Sequence, residues 1–128
     1  MFMANVLHGH SILVVEDEAL IRMMVALSLS DDYEVIEATD AMQGLVCLSR
    51  PEPIDLLFSD IVMPGGMDGV QLAEAARKLR PDLKILLTTG YDREALRSRN
   101  IDTGIPILKK PYLNQDLLDS ISKCLQAV

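Results

Sequence analysis

Ile12-Leu13-Val14-Val15-Glu16-Asp17-Glu18 is a short apolar run that stops abruptly in three acids. Four aliphatic residues in a row, mostly β-branched, are too few for a buried helix and read as a strand covered on both faces. The same pattern returns at Ile54 to Phe58, which leads into Ser59-Asp60, at Ile85 to Leu87 before Thr88-Thr89, and at Ile105 to Leu108 before Lys109-Lys110-Pro111. A further run, Tyr33 to Ala38, is interrupted by Glu34 and Glu37. Helical spacing fills the gaps: Ala19 to Leu29, then Leu72, Ala75, Ala76 and Leu79, then Leu117, Ile121, Cys124 and Leu125. Asp40, Asn114 and, after the first run, Glu18 are placed to cap helices, while Pro81 and Pro111 fall where patterns stop or turn.

Strict alternation of strand and helix predicts five of each in a three-layer α/β domain. Parallel strands need a crossover long enough to hold a helix, and right-handed crossovers put helices on both faces of the sheet. The charged second run and the fifth, whose Pro106 lacks a ladder donor, belong at the edges. The expected strand order is therefore 2-1-3-4-5. In that order the switch point lies between strands one and three, and ligands bind beyond their carboxyl ends.

Three carboxylates, Glu16, Asp17 and Asp60, are thus expected at one crevice. Like charges held a few ångströms apart recruit a cation, and a small hard ion with oxygen ligands, Mg2+, suits them. Thr88 and Lys110, at the ends of strands four and five, add a hydroxyl and an ammonium to the same sheet edge. This set suits phosphoryl transfer: metal and lysine neutralise charge, a hydroxyl donates, and Asp60 attacks. Taken singly, Thr88 reads as an ordinary strand residue and Lys110 as a solvated charge; only their shared edge raises the chemical reading.

With 128 residues, 49% of them hydrophobic, the chain is expected to make one domain over 11–128 behind a flexible leader at 1–10. A net charge of −7 without a basic, aromatic-interleaved stripe disfavours nucleic acid. No apolar stretch is long enough for a membrane span or shaped like a secretion signal, which points to the cytoplasm. Cys47 and Cys124 sit at apolar helical positions and read as reduced core thiols; His8 and His10 have no third ligand nearby.

The motifs Ile12-Leu13-Val14-Val15-Glu16-Asp17-Glu18, Asp55 to Pro64 with Met67-Asp68-Gly69, Leu87-Thr88-Thr89-Gly90 and Lys110-Pro111 resemble the receiver domains of two-component response regulators, from about Ser11 to Leu125. The Leu86 to Tyr91 stretch and the Pro64 to Gly69 loop look most like receivers attached to or partnered with hybrid sensor kinases. The resemblance implies a flavodoxin-like (βα)5 fold, Asp60 as phosphoacceptor, and Mg2+ held by Glu16, Asp17, Asp60 and the Val62 carbonyl. It also implies Thr88 and Lys110 at the phosphoryl group and a cis Lys110-Pro111 bond. The phosphodonor would be a sensor histidine kinase or histidine phosphotransfer protein. With no output domain after Leu125, the signal would pass to a protein partner through the fourth helix, fifth strand and fifth helix; homodimer formation is left open. Such a chain catalyses only its own phosphorylation and dephosphorylation.

Three departures bear on this: Glu16 stands where Asp is more frequent, the Gly65-Gly66 loop is one residue longer than in chemotaxis-type receivers, and Ile107 replaces a frequent aromatic. Other readings are a flavin phosphate binder, a metal-dependent phosphatase, and a receiver kept as a relay intermediate or protein-binding scaffold. The acids after the first strand repel an anion, against the first; Val62 occupies the proton donor's place, against the second.

Overall fold

The first strand, β1 (Ser11–Val15), lies between β2 (Glu34–Ala38) and β3 (Leu56–Asp60), and β4 (Lys84–Thr89) and β5 (Ile107–Lys109) follow outward. This computed structural model describes residues 9–101 and 104–127. All pairings are parallel, in the order β2-β1-β3-β4-β5. The helices are α1 (Ala19–Leu29), α2 (Ala41–Leu48), α3 (Gly69–Leu79), α4 (Arg93–Ser98) and α5 (Asn114–Gln126).

Side chains alternate across a strand, so each central run feeds two cores. Leu13, Val15, Leu57, Ile85 and Leu87 pack with Leu48, Leu72, Ala76 and Leu96 from α2, α3 and α4. Ile12, Val14, Leu56, Phe58 and Leu86 pack with Val25, Leu29, Leu117 and Ile121 from α1 and α5. The edge strands are the exposed ones, as their charges and Pro106 imply. Cys47 joins the first core and Cys124 the second, on opposite faces of the sheet, and both are free thiols.

Strands β3 and β5 begin further toward the carboxyl end than their apolar runs suggest. Ile54 is buried but precedes the ladder, because Asp55 turns the chain in: its N–H donates to the Ser11 carbonyl, and its carboxylate accepts from the Ser11 N–H at 2.8 Å. Pro106 likewise stands just before β5, its carbonyl accepting from the Leu87 N–H. Apolar character marks burial, whereas the ladder needs donors as well.

Two helix starts also differ from expectation. Asp40 caps α2 through the Gln43 N–H at 2.9 Å, but Asn114 is already inside α5, where the Asp116 carboxylate takes the Leu113 N–H at 3.0 Å. Glu18 holds the cap position of α1 without a side-chain cap; its N–H is instead turned onto the Glu16 carboxylate. At the amino end, the His10 carbonyl accepts from the Glu34 N–H, which carries the β1–β2 pairing one step before residue 11. Residues 1–8 of the expected leader, with His8, lie outside the described residues. Among the described residues no helix is long and apolar enough to cross a membrane.

Candidate functional site

Register carries the acids to one point. Val15 pairs with Ser59, so the residues that follow, Glu16 and Asp60, stand side by side at the carboxyl ends of β1 and β3. Glu16, Asp17 and Asp60 each offer a carboxylate oxygen, and these oxygens lie within 4.8 Å of one another. Glu16 and Asp60 are buried while Asp17 is exposed, which leaves the cluster open to solvent on one side. The donors are all hard oxygens with one open flank, a set that fits a small divalent cation keeping some of its waters.

Lys110 closes the other flank. Its Nζ donates to Asp60 Oδ2 at 2.9 Å and to Glu16 Oε1 at 3.4 Å. Its own N–H donates to the Thr89 carbonyl at 2.8 Å, and the Lys110-Pro111 bond is cis. Burial drives the Glu16 carboxyl above its ordinary pKa, the charge of Asp60 adding to this against the Glu18 N–H and Lys110. Burial works to lower the Lys110 pKa, but the hydrogen bond and charge of Asp60, with the charge of Glu16, outweigh it and leave a firmly protonated ammonium.

The backbone around Asp60 is held on every side. The Ser59 hydroxyl donates to the Asp60 carbonyl at 2.9 Å, the Ile61 N–H donates to the Thr88 carbonyl, and the Gly69 N–H donates to the Ile61 carbonyl. Gly65 and Gly66, with φ of 98° and 85°, form the exposed turn that brings α3 back. Asp68 and Gln71 then start α3 with a reciprocal capping box, at 2.8 and 3.0 Å. Val62, two residues past Asp60, has an exposed side chain.

Thr88 lies beside Asp60 in the β3–β4 register, but its hydroxyl donates to the Leu108 carbonyl at 2.8 Å. Thr89 is the strand's last residue; its hydroxyl oxygen accepts from the Tyr91 N–H at 3.1 Å, a bond that leaves its own proton uncommitted. Sequence reasoning gave the hydroxyl role to Thr88 and none to Thr89, whose signal was the terminal strand position. It also passed over Arg22, whose guanidinium donates to the Glu16 carbonyl. Ile107 is partly exposed and shares a groove with Tyr91, Leu96, Arg97 and Lys109. Arg99 stacks on Tyr91, 4.3 Å from the ring centroid.

Fold and crevice together define an open parallel α/β domain with an acidic, lysine-faced ligand site at its switch point. The model of the response regulator receiver domain matches residues 12–122, and the chain belongs to that family, the receiver domains of two-component systems. It is 37% identical over 121 residues to the response regulator receiver protein CpdR of Brucella abortus, covering 91% of this chain and 97% of CpdR. It is 33% identical over 120 residues to the sensor kinase CckA of the same organism, covering 91% of this chain and 12% of CckA. A crystal structure of a response regulator receiver protein from Sinorhizobium medicae superposes with a TM-score of 0.82 at 27% identity, covering 92% of this chain and 95% of that one.

Proposed function

We propose that the chain accepts a phosphoryl group on Asp60 from a phosphohistidine donor, with Mg2+ bound at the acid cluster, and signals to a protein partner by changing conformation. The observation that carries this reading is the direct approach of Lys110 to Asp60, at 2.9 Å, inside a cluster of three carboxylates.

Glu16, Asp17, Asp60 and the Val62 carbonyl would hold the cation, which when bound supplies charge neutralisation at the phosphoryl oxygens. Asp60 attacks phosphorus with a carboxylate oxygen. The new P–O bond forms as the P–N bond breaks, and the bonding pair leaves with the imidazole. Lys110 exchanges its carboxylate partner for a phosphoryl oxygen, which lets it respond to the new charge without delivering a proton. Thr89, rather than Thr88, is assigned the hydroxyl contact, because the Thr88 proton is already given to Leu108. Water attack on phosphorus would later restore Asp60, so the chain turns over no separate substrate.

Beside the crevice, α1 exposes Leu20, Met23, Met24 and Leu27, an apolar stripe at helical spacing. It supports docking of a protein donor, a histidine kinase or phosphotransfer protein, there rather than access by a small metabolite alone. Output would pass through α4, β5 and α5, which the Thr89 and Lys110 backbones adjoin. A cytoplasmic setting and a protein rather than nucleic acid partner fit this role.

The test is labelling with acetyl phosphate and Mg2+. Incorporation is expected in the natural chain and absent in Asp60→Asn or in EDTA. Label retained in Asp60→Asn would overturn the assignment.

A further inference from the structure

We propose that Arg22 is a positioning residue for the cation site, fixing the backbone of Glu16 against the second strand. This deepens the reading of Glu16, Asp17 and Asp60 as metal ligands and rests on it.

Glu16 stands one residue beyond β1, where sheet pairing runs out. Its N–H makes a last bond to the Ala38 carbonyl at 3.1 Å. Its carbonyl accepts instead from Arg22 Nη1 at 2.8 Å, and Arg22 Nε faces Glu37 of β2 at 3.3 Å. Helical side chains lean toward the helix amino end, so from the second turn of α1 the arginine reaches back over the preceding turn. One planar fork thus ties the carboxyl end of β1 to β2.

A bland salt bridge does not account for this placement. Glu37 is about half exposed, and exposed ion pairs contribute little. A cation near the amino end of a helix meets the positive end of the macrodipole. A fixed positive charge beside a site for Mg2+ also repels the ion. Charge therefore works against Arg22 here, and geometry works for it.

The need arises from glutamate itself. It carries one more rotatable bond than aspartate and loses more freedom when it ligates. Here its backbone is held by Arg22 and Ala38, and its carboxylate by the Glu18 N–H at 3.0 Å and Lys110 at 3.4 Å. A lysine in place of Arg22 keeps the charge but loses the two-donor fork.

The experiment titrates MgCl2 into the natural chain, Arg22→Lys and Arg22→Met, following amide NMR shifts of Asp17, Glu18 and Ile61. Arg22→Met is expected to weaken Mg2+ binding about tenfold, the lower range for loss of a residue that orients a ligand. Arg22→Lys should fall between. The sign is decisive, because removing a merely repulsive charge tightens binding. Arg22→Lys equal to the natural chain, or Arg22→Met equal or tighter, overturns the proposal. If Arg22→Met does not fold, the charge-preserving lysine variant decides alone. Absence of any Mg2+ shift in the natural chain would bring down the functional reading and the clamp together, whereas natural binding with unweakened variants removes the clamp only.

Discussion

Replacing Gly69 by alanine tests how tightly α3 is seated on the proposed phosphoacceptor. A Cβ built on Gly69 would lie 2.8 Å from Ile61 Cα and 2.9 Å from the Asp60 carbonyl carbon, and closer still to the Asp60 carbonyl oxygen. Ordinary carbon contacts begin near 3.5 Å, so α3 or the end of β3 must move by roughly half an ångström to one ångström. Both are backbone, and the Gly69 N–H to Ile61 carbonyl bond at 2.8 Å stands in the same gap. Overpacking of this kind costs about 1–3 kcal/mol. The reduced freedom of the unfolded chain returns about 0.4–1 kcal/mol. A net loss of about 1–2 kcal/mol lowers Tm by roughly 4–8 °C for a domain of this size. Since Asp60 moves with the strain, acetyl phosphate labelling should fall at least about tenfold in the folded fraction, a misplacement of one ångström being enough for more. Thermal unfolding by circular dichroism and labelling on the same samples make the measurement. Gly90→Ala is the control, because a Cβ there meets nothing within 4 Å. An unchanged or raised Tm for Gly69→Ala would refute the reasoning from close approach.

Lys110→Ala should keep acetyl phosphate labelling within about tenfold, because transfer relies on Asp60 and the cation, while removing the beryllofluoride-induced amide shifts in α4 and β5; complete loss of labelling would contradict it. Glu16→Gln should raise the Tm of the metal-free chain at neutral pH. The folded chain holds the Glu16 proton more tightly than the unfolded chain does, so stability declines as pH rises past the ordinary glutamate value of 4.5, and the gain should vanish as pH falls to that value. A gain that persists at pH 4 would point elsewhere. Thr88→Val should cost about 1 kcal/mol by removing the hydroxyl bond to the partly buried Leu108 carbonyl and leave labelling intact; Thr89→Val should slow labelling about tenfold. The opposite pattern in labelling rates would return the hydroxyl role to Thr88.

Strand order was legible because burial demands differ along the sheet. Val14 and Leu57 need cover on both faces, whereas Glu34, Glu37 and Pro106 tolerate none or lack a donor, and parallel topology leaves few arrangements for such a set. Strand ends were less legible. Ile54 is as apolar as Leu56, yet the ladder begins only after Asp55 has turned its carboxylate onto the Ser11 N–H, and that bond joins residues 44 positions apart. The start of α5 has the same character: Asn114 is a good cap by residue type, but the Asp116 side chain had already satisfied the Leu113 N–H.

The site divides along a similar line. The three acids and Lys110 could be placed from sequence because each stands at or just beyond the carboxyl end of a strand, and strand order alone brings those ends together. Which threonine hydroxyl keeps an uncommitted proton could not, since Thr88 and Thr89 are chemically identical neighbours. What separates them is a bond across the sheet: the Leu108 carbonyl on β5 takes the Thr88 proton, and β5 itself begins two residues later than its apolar run suggests. The start of the edge strand therefore bears on which hydroxyl keeps its proton at the centre. Arg22 was illegible for a related reason. In the helical pattern it reads as the one charged residue of an otherwise uncharged α1, and its contact with Glu16 follows only once that helix is packed back over the end of the strand before it. Residues that bear the chemistry announce themselves by type and position; those that hold them in place act through backbone carbonyls, which every residue carries alike.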